Sequence, residues 1–498
     1  MDSTPPLEHL SPPSVWRHFA TLCRIPRPSG HEGAIRDTLA AWARLRGLPT
    51  RIDTTGNLVI RKPATPGRED RPILVLQGHL DMVCQKRKDS PHDFLSDPIR
   101  PVVRHGWVVA EETTLGADNG IGVALALAAL ESTDLAHGPL EVLLTLDEES
   151  GMTGAWGLEA DALAGRLMIN LDTEEWGRVY VGCAGGVDVL VGHDFPTEPP
   201  SARAIGLTLT LGGLQGGHSG VDIHLERGNA IKLLTRVLAA LAPLGLQLAK
   251  LQGGTARNAL PRDAEAWVAC PADREAEWRA TLSALQAQLR EELAGTDEGL
   301  TLTLSPPGPP PESVLPPGAQ RQLLGVLLSA PHGVRRWSRR VPGVVETSNN
   351  LGLVSLESGP AGASFSAHFM VRSLVATGST ELADQIVALF SLIGAHAELS
   401  GAYPGWAPRP ASPLLAWFQR LHAQEFGAPA EVAVIHAGLE CGILASKFPG
   451  LDVVSFGPDI RGAHAPGERV HVASVDAAWR LLATLLAELP AGGPAAQP

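Results

Sequence analysis

The sequence predicts an α/β fold: a mostly parallel mixed sheet flanked by helices, interrupted by an inserted α+β domain with an antiparallel sheet. Three observations predict it. Short apolar runs, Ile73–Leu76, Leu140–Leu146 and Leu167–Leu171, alternate with helical stretches in the first part of the chain, the order that builds parallel sheets. After Val187 the texture changes to alternating strands, of which Ala204–Gly212 is the clearest. The first texture then returns near the C-terminus. The expected boundaries are 1–186 and 401–498 for the two parts of the first domain and 187–400 for the insertion. A chain of 498 residues is long for a single core, so two domains are also the size expectation.

In chain order, Ser14 is the expected N-cap of a first helix that stops near Pro26–Gly30, and a second helix over His31–Arg46 ends at Gly47. Thr50–Asp53 and Leu58–Arg61, around the turn Thr54–Asn57, read as a hairpin. The run Ile73–Leu76 is a buried strand ending in Gly78-His79-Leu80-Asp81, and Gly106–Ala110 is a short strand. Leu115–Gly120 is a small-residue loop leading into the helix Ile121–Glu131. Strands at Leu140–Leu146 and Leu167–Leu171 follow. In the insertion, helices are expected at Asn229–Leu241, Arg274–Ala294 and Leu382–Leu392, with strands at Ala204–Gly212, Ala264–Cys270, Thr301–Leu304, Gly343–Leu356 and Ser364–Arg372. The proline run Pro306–Pro311 cannot enter a helix or central strand and reads as an exposed loop. The tail supplies a helix at Leu414–Glu425, strands at Val432–Ile435 and Leu451–Phe456, a turn-rich loop Gly462–Glu468, a helix over Val475–Leu489 and a frayed end, Ala491–Pro498.

Composition narrows the function classes. Forty-four per cent hydrophobic and 19% charged residues are ordinary globular values. A formal net charge of −13 argues against nucleic acid or an anionic membrane as the main partner. The five cysteines are scattered and contain no CxxC, which fits a reducing cytoplasm and argues against a cysteine-cluster zinc site. The opening MDSTPPLEHLSPPS has neither a basic n-region nor an apolar h-region, so no signal peptide is expected. No apolar run is long enough to span a bilayer.

Polar clusters recur at the ends of the apolar runs. His79 and Asp81 would point to one side if the chain stays extended, which suits a metal-binding imidazole with a carboxylate behind it. Alone, the pair serves equally as ordinary strand-end polar residues. Asp118 stands at a loop-to-helix start and reads equally as a helix cap. Asp147-Glu148-Glu149 places three carboxylates together at a strand end; a solvated loop tolerates this, and for a lone EE pair that is the simpler account. Asp172 ends the next strand. Since a parallel sheet gathers such ends along one edge, a bound cation explains the set better than independent coincidences. His464, in the late loop, brings the count to that of a dinuclear site, and zinc takes imidazole and carboxylate readily.

These residues sit in motifs with a family resemblance. Gln77–Val83, Thr113–Gly120, Glu148–Met152, Asn170–Glu175, Gly216–Gly220, Asn258–Pro261, Ile435–Gly442 and Gly462–His464 run in the order seen in two-zinc aminoacylase/carboxypeptidase-like metallopeptidases. Within them the chain resembles the aminoacyl-histidine dipeptidases, which cleave Xaa-His and carnosine-type dipeptides. The resemblance covers nearly the whole chain. It implies a catalytic domain carrying an inserted lid/dimerisation domain, a small peptide substrate and a homodimer formed through that insertion. It implies one zinc held by His79 and Asp172, another by Glu149 and His464, and Asp118 bridging, with cobalt or manganese as substitutes. Asp81 would orient His79, Glu148 would be the general base acting on a metal-activated water, and His218 would donate to the tetrahedral intermediate, in relatives often across a dimer interface. Read by itself, Gly216–Gly220 is a tight structural turn. Arg372 and Asn258 are candidates for the dipeptide carboxylate and Glu440 for the substrate ammonium; each reads equally as a structural salt bridge or cap. His436 is either a core residue or a substrate neighbour. The chain departs from the family pattern in Asp147, which precedes the glutamate pair, and in the proline run.

Rival readings are weaker. Gly217–Val221 nearly fits GxSxG, but Val221 spoils it and no strand precedes it as an elbow. A Cys441–His436 thiol hydrolase lacks an orienting partner. A purely binding or scaffolding protein would be expected to lack a ligand or the base, and none is missing. Within the enzyme reading, the nearest alternatives are a broader dipeptidase or tripeptidase and an N-acyl amino acid deacylase.

Overall fold

The computed structural model describes residues 7–409 and 411–494; the start of the opening segment and the last residues of the expected frayed end lie outside them. The chain forms two compact units. One comprises Met1–Gly182, Pro408–Val434 and Leu439–Pro498, the other Cys183–Ala407 and Ile435–Gly438. The short return segment Ile435–Gly438 groups with the second unit because the Ile435 carbonyl accepts the Ala184 N–H at 3.0 Å and His436 meets Ser348.

The first unit is built on an eight-stranded mixed sheet in the order Thr50–Ile52, Leu58–Lys62, Leu140–Thr145, Leu74–His79, Leu167–Asn170, Asp452–Ser455, Arg178–Cys183, Glu431–Ile435. Its four central strands run parallel, with antiparallel pairs towards the edges. Central strands covered on both faces read as continuous apolar runs, and Leu74–His79 and Leu140–Thr145 are buried throughout. The helix Ala117–Glu131 is apolar all round because it is a core element, buried from Ala117 to Leu130 except at Asp118. Close approach explains Gly78, in the first motif, and Gly122, just past the second. A Cβ on Gly78 would stand 2.3 Å from Asn119 Oδ1, and one on Gly122 would stand 2.2 Å from the Leu171 carbonyl oxygen. The strand at Gly78 and the helix at Gly122 must therefore each lack a side chain.

One expected boundary needs correction. The first helix spans Pro13–Arg24 with Pro12 at its cap position and no side-chain cap, so Ser14 lies inside the first turn rather than capping it. Proline at the first helical position costs nothing there, since that N–H has no helical partner.

The second unit carries a nine-stranded sheet, every register of which is antiparallel. Its helices include Ala230–Leu241, Glu275–Glu292, Pro317–Ser329 and Ala376–Ser391. Asn229 caps the first of these by accepting from Ile231 and Lys232 at 2.9 and 3.2 Å, a contribution of about 1 kcal/mol. The proline run is a mostly exposed connection held at one point by mutual hydrogen bonds between Gly308 and Gly206. Among the described residues no helix is long and apolar enough to cross a membrane.

Candidate metal centre

Parallel register sets the site's frame. His79 lies opposite Thr145, and Gln77 lies opposite Asn170. The chain leaves these strands at one edge, so His79, the Asp147–Glu149 turn and Asp172 emerge together, as the strand-end pattern predicts. Asp118 joins them from the start of the buried helix, next to a cis peptide bond to Asn119. Its carboxylate does not cap that helix: both its oxygens face imidazoles, and the amides of Ala117 and Asp118 bond to the Glu468 carboxylate.

Asp118 instead spans two imidazoles. Its Oδ1 lies 3.2 Å from His79 Nε2 and its Oδ2 3.2 Å from His464 Nε2. His79 Nε2 is also 3.4 Å from Asp172 Oδ1, and His464 Nε2 is 3.1 Å from Glu149 Oε2. Two three-residue groups result, His79–Asp118–Asp172 and Asp118–Glu149–His464, sharing Asp118; a third, His79–Glu148–Glu149, places Glu148 beside them.

Asp81 lies fully buried behind His79. Its Oδ1 is 3.2 Å from His79 Nδ1, an ion-pair contact short of full hydrogen-bond geometry. The same carboxylate accepts the backbone N–H of Glu148 at 3.0 Å and of Glu149 at 3.1 Å, and the Ser29 hydroxyl at 2.8 Å. Asp81 thus fixes the glutamate turn as well as the imidazole. Burial opposes its charge, but the close His79 imidazole, with the Ser29 hydroxyl and the Glu149 amide, outweighs this and holds its pKa at about 2.

Under the ligands runs a polar network invisible in the sequence. Gln77 Nε2 donates to Glu440 Oε2 at 2.8 Å, and Thr145 donates to the same oxygen at 2.5 Å. Asn170 donates to Gln77 Oε1 at 2.5 Å and accepts from the Asp172 N–H at 3.2 Å. Glu440 is 1% exposed and its Oε1 has no partner; burial, above all, pushes its pKa up to about 8.

The remaining candidates lie in the second unit. His218 is in the Gly216–Gly220 loop, where its Nδ1 accepts the N–H groups of Gly220 and Val221 at 3.2 and 3.0 Å. With Nδ1 accepting, Nε2 is the ring's donor. Asn258 is exposed, and its carbonyl accepts the Ser219 N–H at 2.8 Å. Arg372 is buried, with Nη1 donating to Tyr403 Oη at 2.8 Å and Nε without a partner. His436 Nε2 is engaged by Ser348 Oγ at 2.7 Å. Burial first, then the charge of Arg372, lowers the His436 pKa to about 3.

Electrostatics test whether cations fit. From the protein's own charges alone, burial followed by Asp118 pushes Glu149 up to about 7, and burial followed by the charge balance around Asp172 and Glu149 raises Glu148 well above the carboxylate range. Glu149 Oε1 is buried without a partner. The carboxylates outnumber the two imidazoles set among them, and a buried carboxylate left ionised without a partner costs several kcal/mol. The ligand sets contain four carboxylates once Glu148 is counted; with both imidazoles neutral, as ligation requires, two divalent cations balance them. The donor set, imidazole and carboxylate without thiolate, suits zinc, cobalt or manganese.

A cluster of imidazoles and carboxylates at the carboxyl edge of the parallel strands, with His79 buried and His464 open to solvent, defines the class: a metal-dependent hydrolase. The chain belongs to peptidase family M20/M25/M40, which it matches over residues 75–488. It is 43% identical over 486 residues to the cytosol non-specific dipeptidase of Escherichia coli (strain K12), covering 97% of this chain and 99% of that protein. The crystal structure of aminoacylhistidine dipeptidase from Vibrio alginolyticus superposes with a TM-score of 0.88 at 42% identity, covering 97% and 98% of the two chains. The aminopeptidase PepT of Bacillus cereus ATCC 10987 shares the fold, with a TM-score of 0.58 at 16% identity over 96% and 99%.

Proposed function

We propose that this protein is a dinuclear-zinc dipeptidase that prefers Xaa-His substrates, including β-alanyl-histidine. One observation carries the reading. Asp118 joins the His79 and His464 groups in a chain that aligns nearly end to end with two dipeptidases. In this reading His79 and Asp172 hold one cation, Glu149 and His464 the other, and Asp118 bridges. When bound, the cations polarise the scissile carbonyl and acidify the attacking water. Glu148 takes the water's proton and passes it to the leaving amine. His218 donates its Nε2–H to the developing oxyanion, and Arg372, with Asn258, receives the dipeptide carboxylate. Glu440 offers its unpartnered Oε1 to the substrate ammonium. A cytoplasmic location accords with the cysteine usage and with the named location of the Escherichia coli relative. A homodimer through the inserted unit completes the proposal.

Asp81→Ala is expected to weaken metal affinity by about 10- to 100-fold, measured by chelator competition. Normal affinity and turnover would remove Asp81 from its assigned place.

A dipeptide panel with zinc-loaded protein tests the substrate. Xaa-His members, β-alanyl-histidine among them, should exceed the others by about tenfold or more in kcat/KM, an order of discrimination that one well-matched side-chain pocket supplies. An even profile would favour the broader dipeptidase reading, which the name of the Escherichia coli relative supports. Cleavage of N-acyl amino acids with no dipeptide turnover would overturn both.

A further inference from the structure

We propose that Glu468 and Arg27 are positioning residues that set the spacing of the ligand-bearing loops, and that Glu468 fixes Asp118 against His464. The inference rests on the two-cation reading above. Glu468 follows His464 by four positions and is 2% exposed. Its Oε2 accepts the N–H groups of Leu115 and Gly116 at 2.7 and 2.9 Å, and its Oε1 those of Ala117 and Asp118 at 2.8 and 3.1 Å. Four successive amides thus converge on one carboxylate. Backbone bonds extend the junction: Ala110 N–H to the Glu468 carbonyl at 3.2 Å, and Gly467 N–H to the carbonyls of Ala110 and Thr113 at 3.0 and 3.1 Å.

Arg27 does the same on the other side. Its Nη1 donates to the carbonyls of Leu80 and Asp81 at 2.9 and 2.8 Å, and its Nη2 to that of Gly116 at 2.5 Å. It is as buried as Glu468, at 2% exposure. Arg27 therefore ties the His79–Asp81 turn to the Asp118 loop, and Glu468 ties the Asp118 loop to the His464 loop. Ordinary helix capping does not account for Glu468. A neutral Ser or Asn satisfies such an end for about 1 kcal/mol of benefit, whereas a buried carboxylate first costs several kcal/mol of desolvation. The carboxylate also comes from the segment that delivers a metal-ligand histidine, and ligand geometry tolerates errors of only about 0.5 Å.

The effect should be unequal between the two cations. Only the Asp118–Glu149–His464 group contains a residue of the Glu468 loop. Glu468→Gln keeps one acceptor oxygen and turns an NH₂ towards two of the amides. In chelator competition with zinc, the variant should lose about tenfold or more in affinity for one equivalent and hold the other within about threefold of wild type. Its kcat should fall with KM within about threefold, and the melting point of its metal-free form should stay within about 5 °C of wild type. Arg27→Lys keeps the charge and loses the fork; it should weaken both equivalents and carries the test if Glu468→Gln does not fold. Wild-type affinity for both equivalents in Glu468→Gln would overturn the inference. So would a large drop in metal-free melting point with unchanged metal affinity, the mark of a merely structural role. Wild-type protein taking fewer than two equivalents would sink the underlying two-cation reading instead, and this inference with it.

Discussion

Glu148→Gln is expected to lower kcat by about a thousandfold while leaving two zinc equivalents bound. General-base catalysis by a positioned side chain contributes about 10²–10⁴-fold, and glutamine matches glutamate in shape but takes up no proton. The backbone of the turn should hold, because the Asp81 carboxylate grips the amides of residues 148 and 149 whatever the side chain. The Glu148 side chain belongs to neither of the two groups that share Asp118, so both ligand sets survive the substitution. Replacing a buried acid crowded by Asp172, Glu149 and Glu440 with a neutral group also relieves repulsion, so the metal-free melting point should stay level or rise. Turnover measured beside metal content checks this; near-normal turnover would remove Glu148 from the base's role.

Exhaustive chelation is expected to abolish dipeptide hydrolysis, the largest effect the account predicts. Ser219 and His436, the groups that rival chemistries would use, offer no substitute for the cations. The serine of the Gly216–Gly220 loop is buried at 1% exposure, and the His436 ring is engaged by Ser348. Removing the cations leaves Asp118, Glu148, Glu149 and Asp172 facing one another with two imidazoles between them. At neutral pH some of these carboxylates should then take up protons, as the raised pKa values of Glu148 and Glu149 show. Zinc re-binding should release protons in turn, a readout independent of activity.

The parts of the site legible in the sequence share one property: local pattern and chemistry coincide. Ile73–Leu76 followed by His79 and Asp81, and Leu140–Leu146 followed by the glutamates, announce a strand and a polar end together, and the parallel registers place those ends on one edge. Glu468 and Arg27 carry no such signal. Glu468 is one acid in a turn-rich loop, and its partners are amides some 350 residues earlier in the chain. Arg27 hides in a proline turn, and its acceptors are backbone carbonyls that any sequence would possess. The Gln77–Glu440–Thr145 network is obscured for the same reason: its members lie on different strands and one helix.

Fold elements are hidden in the sequence where composition opposes pairing. Gly185–Phe195 contains three glycines, two aspartates and a histidine, poor strand formers, yet it lies between two antiparallel neighbours that satisfy its backbone on both sides. Pro317–Ser329 follows a proline-rich stretch and starts with proline itself, which masks a helix start that proline in fact suits.

The most direct test is titration of fully chelated protein with zinc, following β-alanyl-histidine hydrolysis and bound metal together. No turnover is expected without metal and full turnover at two equivalents per chain, with Glu148→Gln binding the same two equivalents and staying inactive. Turnover that persists without metal, or saturates with no zinc bound at the Asp118 cluster, would contradict it.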